Sequence, residues 1–165
     1  MKKYPLEQLA FIKQKKLEEA EKILREKKAL LAEEERKLHE HELERDQVLL
    51  HKEAKLKQMR EALDEGAKAH KIEQMRQYLK LVKEDLQAKQ RKVEDQKKKV
   101  HEAEQNVEKA RLNMLEKQKN VEKLARHQKE WQKEEKKEQE RKDEVVGDEM
   151  GSARHIMKKR KPPHG

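Results

Sequence analysis

Over the second half of the chain an apolar side chain returns at every seventh residue. One series reads Ile72, Leu79, Leu86, Val93, Val100, Val107, Met114, Val121 and Gln128. The series three residues later reads Met75, Val82, Lys89, Gln96, Ala103, Ala110, Lys117, Leu124 and Trp131. Only Lys89, Gln96, Lys117 and Gln128 interrupt the apolar character, and most intervening positions are Lys, Glu, Gln or Arg. A straight helix repeats every 3.6 residues, so a strict repeat of seven keeps one narrow stripe aligned only if the helix winds left-handed around a partner. The second half of this chain therefore needs another helix to lie against.

The first half supplies one. Leu17, Leu24, Leu31 and Leu38 are spaced by seven, and Leu49, Leu56 and Leu63 are spaced by seven again, with Met59 among them. From Leu38 to Leu49 the step is eleven, a heptad plus four, which predicts a stutter that locally unwinds the supercoil. Leu9, Ile23 and Leu30 lie beside this seam and widen it. Between the halves stands Leu63-Asp64-Glu65-Gly66. Glycine there can take the left-handed conformation that ends a helix and lets the chain reverse into an αα-hairpin.

The expected fold is all-α: a long two-helix antiparallel coiled-coil hairpin over residues 1–151. Helix one is predicted at about 5–64, the turn at 64–68 and helix two at 68–144, followed by a disordered basic tail at 152–165. Pro5 suits the first turn of helix one. Counting outward from Gly66 sets Leu6 opposite residues 126–130 and Trp131 over the open end, beside Tyr4 and Pro5. At 1.5 Å per residue helix one spans roughly 85–90 Å. Residues 132–144 contain no apolar side chain and read as a helical extension without a partner, with Glu138 at pairing distance from Arg141 and Lys142.

Composition agrees and narrows the function classes. Charged residues make up 48% of the chain, hydrophobic ones 32% and aromatic ones 2%, which is too little apolar volume for a layered core. Such charge leaves disorder or long helices with a thin seam. Scarcity of breakers selects helix: Ser152 is the sole serine, and between Lys13 and Glu144 the one strong breaker is Gly66. Absence of cysteine excludes disulfides and thiolate metal sites. No apolar run is long enough for a secretory signal or a membrane span, so a cytoplasmic protein is expected.

No chemistry-bearing constellation emerges. The eight histidines include no i, i+4 pair, His39 and His41 point in different directions on a helix, and no HExxH is present, so no metal or cofactor is expected. A carboxylate acting as acid or base needs a pocket that shifts its pKa, and a two-helix hairpin encloses none, so the chain is not expected to be an enzyme. The 44 basic residues are interspersed with 35 acidic ones, except for the terminal cluster Arg154, Lys158, Lys159, Arg160 and Lys161. That tail can touch phosphates non-specifically but holds no aromatic ring to stack a base. Apolar residues off the seam carry more information: Leu9, Phe11 and Ile12 at the open end, Tyr78 and Leu81 near the turn, Leu112 and Leu115 between. They either widen the stripe or contact partners.

Six segments occur in an order that has a known counterpart: YPLEQL (Tyr4 to Leu9), ELERDQV (Glu42 to Val48), QMREALDEG (Gln58 to Gly66), YLKLVKEDL (Tyr78 to Leu86), HQKEW (His127 to Trp131) and DEMG (Asp148 to Gly151). Together they resemble the YscO/FliJ family of type III secretion, most closely its chlamydial branch. The resemblance implies a non-enzymatic cytoplasmic component of the export apparatus, peripherally associated with it at the inner membrane and similar to the gamma-subunit stalk of rotary ATP synthases. The implied partners are the type III secretion ATPase, the cytoplasmic ring of the export gate and the secretion chaperones it helps recycle; nucleic acid and membrane insertion are not expected. By the stalk analogy, Leu6, Leu9, Ile12, Leu124 and Trp131 face the ATPase, and Met59, Leu63, Ile72, Met75 and Tyr78 face the gate. The alternatives are a generic structural coiled-coil adaptor, or nucleic-acid binding through the basic tail.

Overall fold

A computed structural model describes residues 2–159, which form two long helices, α1 (Glu7–Asp64) and α2 (Ala69–Lys159), folded as a helical hairpin with no strand among the described residues. Pro5 lies in the turn just ahead of α1, and the Leu6 carbonyl accepts the first helical hydrogen bond, from Ala10 at 2.9 Å.

The reversal is a complete Schellman motif. The Gly66 amide donates to the Leu63 carbonyl at 3.1 Å, and the Ala67 amide donates to the Ala62 carbonyl at 2.9 Å. Gly66 sits at φ 74°, where a Cβ would crowd the following carbonyl. Lys68 opens α2, its carbonyl accepting the Ile72 amide at 3.1 Å.

Contacts divide the hairpin into two compact units, Glu19–Met114 and a second made of residues up to Glu18 and from Leu115 onward. In the first, the α2 series behaves as its spacing predicts: every a and d position from Ile72 to Met114 is buried or half-buried, and Val93 is fully enclosed. Enclosing a valine stabilises by roughly 1.5–3 kcal/mol relative to exposure. The interrupting residues belong to the seam as well. Gln96, only 3% exposed, donates through its side-chain amide to the Glu34 backbone carbonyl at 2.9 Å and also to the Glu34 carboxylate. The Lys89 ammonium lies 3.8 Å from the Glu44 carboxylate.

On α1 the structure corrects the sequence reading. The protected positions run Ala20, Leu24, Lys27, Leu31, Glu34, Leu38, His41, Arg45, Val48, Lys52, Lys55, Met59 and Ala62, alternating by four and three with no stutter. Leu49 and Leu63, expected in the seam, are exposed, and Leu56 is half-buried at its edge. The phase set by Leu24, Leu31 and Leu38 simply continues. Arg45, Lys52 and Lys55 fit the seam because their aliphatic stems cover apolar surface while their charged heads reach water. Arg45, for example, donates toward the Gln90 side chain at 3.4 Å.

The second unit is closed by aromatic packing. Tyr4 is 6% exposed, with its ring centroid 5.5 Å from that of Trp131 and 5.7 Å from that of His127. This is the placement expected from counting outward from Gly66. Beyond Glu135, α2 has no protected side chain through Lys158. The helix nevertheless does not stop near residue 144, and residues 152–159, expected to be disordered, are helical. Gly147 and Gly151 do not end it, because a glycine inside a helix costs only about 1 kcal/mol and the next proline is Pro162. The rest of the expected tail, 160–165, lies outside the described residues.

Candidate functional site

Exposed apolar side chains recur along both helices, and in two places, one in each unit, they border a groove. The first is the opening of α1, where Phe11 is 63% exposed, Ile12 49% and Leu9 39%. Glu7, Gln8, Phe11 and Ile12 line a shallow groove there, and the Lys15 ammonium stands 5.3 Å from the Phe11 ring centroid. Leu6, Leu124 and Trp131, also expected at this site, are half-buried. The Tyr4 hydroxyl and His127 Nδ1 share a short hydrogen bond that holds the N-terminal segment against α2.

The second is an open cleft lined by Gln47, Val48, His51, Tyr78, Leu81, Val82 and Asp85. Val48 and Val82 come from the seam, while Tyr78 and Leu81 stand largely in solvent. The Tyr78 ring meets His51 edge-on, at 86° and 5.8 Å between centroids, and the Tyr78 hydroxyl is 2.8 Å from His51 Nε2. The Lys55 ammonium lies 5.4 Å from the Tyr78 ring centroid, a cation–π distance. The cleft thus offers an aromatic ring fixed at its hydroxyl, two aliphatic walls and a carboxylate at the rim.

The residues expected to face a gate divide between surface and seam. Tyr78 and Leu63 are exposed, Met59 and Met75 are half-buried seam residues, and Ile72 is buried at 8% exposure. Ile72 therefore holds the hairpin together and presents little to a partner. Sequence reasoning missed Val48, His51, Lys55 and Asp85. Counting outward from Gly66 puts residue 51 within a turn of Tyr78 and would have found His51. Lys55 was hidden because a lysine in a seam position reads as surface.

Shifted ionisations occur away from both places. Arg36 holds the Glu33 carboxyl below the usual carboxylate range, chiefly through a side-chain hydrogen bond, and Arg111 does the same to Glu108. All four groups are on the open surface, where ion pairs contribute little. Among the described residues no group of three His, Cys, Asp or Glu side chains can hold a metal ion, and no helix is long and apolar enough to cross a membrane.

A model of the YscO-like protein family matches residues 1–161. No curated protein matches the chain. Among solved structures, a YscO homolog, CT670 from Chlamydia trachomatis, is 40% identical, with a TM-score of 0.92 over 98% of this chain and 100% of that one. The heptad hairpin reversing at Gly66, the Tyr4–Trp131 closure and the match along nearly the whole sequence agree, and the chain belongs to the YscO-like family.

Proposed function

We propose that this protein is a non-enzymatic, stalk-like component of the type III secretion export apparatus, peripherally associated with it at the inner membrane. In this reading the opening of α1 contacts the export ATPase ring through Leu9, Phe11 and Ile12, with Leu6, Leu124 and Trp131 as their support. The cleft around Tyr78, and Leu63 closer to the turn, contact the cytoplasmic ring of the export gate, and the protein helps recycle secretion chaperones. Membership in the YscO-like family supports a type III secretion role and a structural rather than catalytic one. The observation that carries the partner reading is that exposed large apolar side chains border a groove in each unit, Phe11 and Ile12 in one and Tyr78 and Leu81 in the other.

The test measures export-ATPase turnover and oligomerisation with added protein, comparing the wild type with Phe11→Asp plus Ile12→Asp. Stimulation by the wild type and its loss in the variant is the expected result. A wild type that neither binds the ATPase nor changes its rate removes the stalk reading. Binding to the gate ring is expected to weaken in Tyr78→Ala. In pull-downs, empty chaperones are expected to bind better than cargo-loaded ones, and equal capture of both counts against recycling.

A further inference from the structure

The distal half of α1 carries two seven-residue series, only one of which faces α2. The series in the seam includes His41, Val48, Lys55 and Ala62. The series one residue later reads Glu42, Leu49, Leu56 and Leu63, and it is the more apolar of the two. Leu49 is 38% exposed and Leu63 53%, while Glu42 and Leu56 are half-buried at the seam's edge. Arg45, Lys52 and Met59 lie between the two series and serve either one. The present seam also carries an unsatisfied group: His41 Nδ1 is buried without a hydrogen-bond partner.

We propose that α1 between Glu42 and Leu63 has a second packing on α2, reached by turning about its own axis by half a residue step, roughly 50°. In that packing Leu49, Leu56 and Leu63 enter the seam and Val48, Lys55 and Ala62 leave it. The step of eleven between Leu38 and Leu49 then becomes a real stutter, absorbed by local unwinding. The two packings oppose each other simply. The turned one buries three leucines in place of Val48, Lys55 and Ala62 and brings His41 toward water. The present one keeps the supercoil phase of Leu24, Leu31 and Leu38 unbroken and keeps the Schellman reversal at Gly66. Packed interfaces switch between such discrete arrangements more readily than they deform continuously. The turn also carries His51 and Lys55 away from Tyr78, so it changes the cleft lined by Tyr78 and Leu81.

The chain has no native cysteine, so a single introduced thiol reports on one position. Two full-length pairs test the idea: Leu63→Cys with and without Val48→Asp, and Leu49→Cys with and without Ala62→Glu. Each biasing charge disfavours the present seam from a distance, so the reporter senses the turn and not a neighbour. Reactivity toward a neutral thiol reagent is normalised to that of the same variant in denaturant, and helix content is followed by circular dichroism. With the bias present, each reporter is expected to react about tenfold or more slowly at retained helicity, because it becomes buried. Adding Leu56→Gln is expected to restore the reactivity. Reporters equally reactive with and without the bias overturn the proposal. So does a biased protein that loses its helix, because the second packing would then not exist to receive it.

Discussion

From Ala69 to Trp131, α2 hides a side chain at every third or fourth residue; from Lys136 to Lys158 it hides none. Both stretches are one helix of similar charge-rich composition, so the contrast separates two ways of holding a helix. The first is held by burial against α1. The second has only backbone hydrogen bonds, propensity and local pairs such as Arg141–Glu138 at 3.7 Å and Gln139–Asp143 at 3.3 Å. Pairs of this kind contribute about 0.2–0.5 kcal/mol each, and isolated helices of modest length are marginal in water. The extension must therefore exchange its amide protons far faster than the paired stretch.

Six substitutions break or sharpen that contrast. The largest effect is expected from Val93→Asp, which puts an unpaired carboxylate into a fully buried side-chain site and lowers hairpin stability by roughly 3 kcal/mol or more. Val146→Asp in the extension should stay within about 0.5 kcal/mol. Similar melting curves for the two would mean that the stretches do not differ as the burial pattern says.

Next come the glycines, where the same change is expected to act with opposite sign. Gly66→Ala strains a positive-φ position and should cost about 1–2 kcal/mol in thermal or denaturant unfolding. Gly151 is helical with open space around a new Cβ, so Gly151→Ala should raise helicity in the extension by up to about 1 kcal/mol while leaving the hairpin transition in place. A stabilising Gly66→Ala would contradict the Schellman reversal.

Tyr4→Phe removes the hydroxyl bonded to His127 and keeps the ring against Trp131, so a loss of about 0.5–1.5 kcal/mol is expected. Increased proteolysis at the N-terminus, with the cleft around Tyr78 unaffected, is the accompanying sign.

The smallest effect concerns Arg36. Because Glu33 is held below its ordinary range, the pair contributes above that range, and the contribution is lost as pH falls through the lowered value. Arg36→Gln should therefore lower the melting temperature slightly at neutral pH and not at all in acid. A difference that persists in acid would assign Arg36 a role other than its charge.

What could be read in advance follows from how periodicity works. The α2 series from Ile72 to Trp131, the reversal at Gly66 and the meeting of Trp131 with Tyr4 were all legible, because a long stripe with one interruption permits one antiparallel register. The groove residues Phe11, Ile12 and Tyr78 stood out as apolar side chains off that stripe. His51, Lys55 and Asp85 did not, because a polar residue beside a seam has no signature until the facing helix is in place.

The linear sequence by itself determined that α2 needs a partner, that α1 is that partner, and where the chain turns back. Only the tertiary structure decided which face of α1 between His41 and Leu63 meets α2. Two series one residue apart compete there, and the apolar count alone favours Leu49, Leu56 and Leu63. The outcome was set by the phase carried forward from Leu24, Leu31 and Leu38 and by the ability of Arg45, Lys52 and Lys55 to cover the seam with their stems. Both are properties of two packed helices and of neither helix alone.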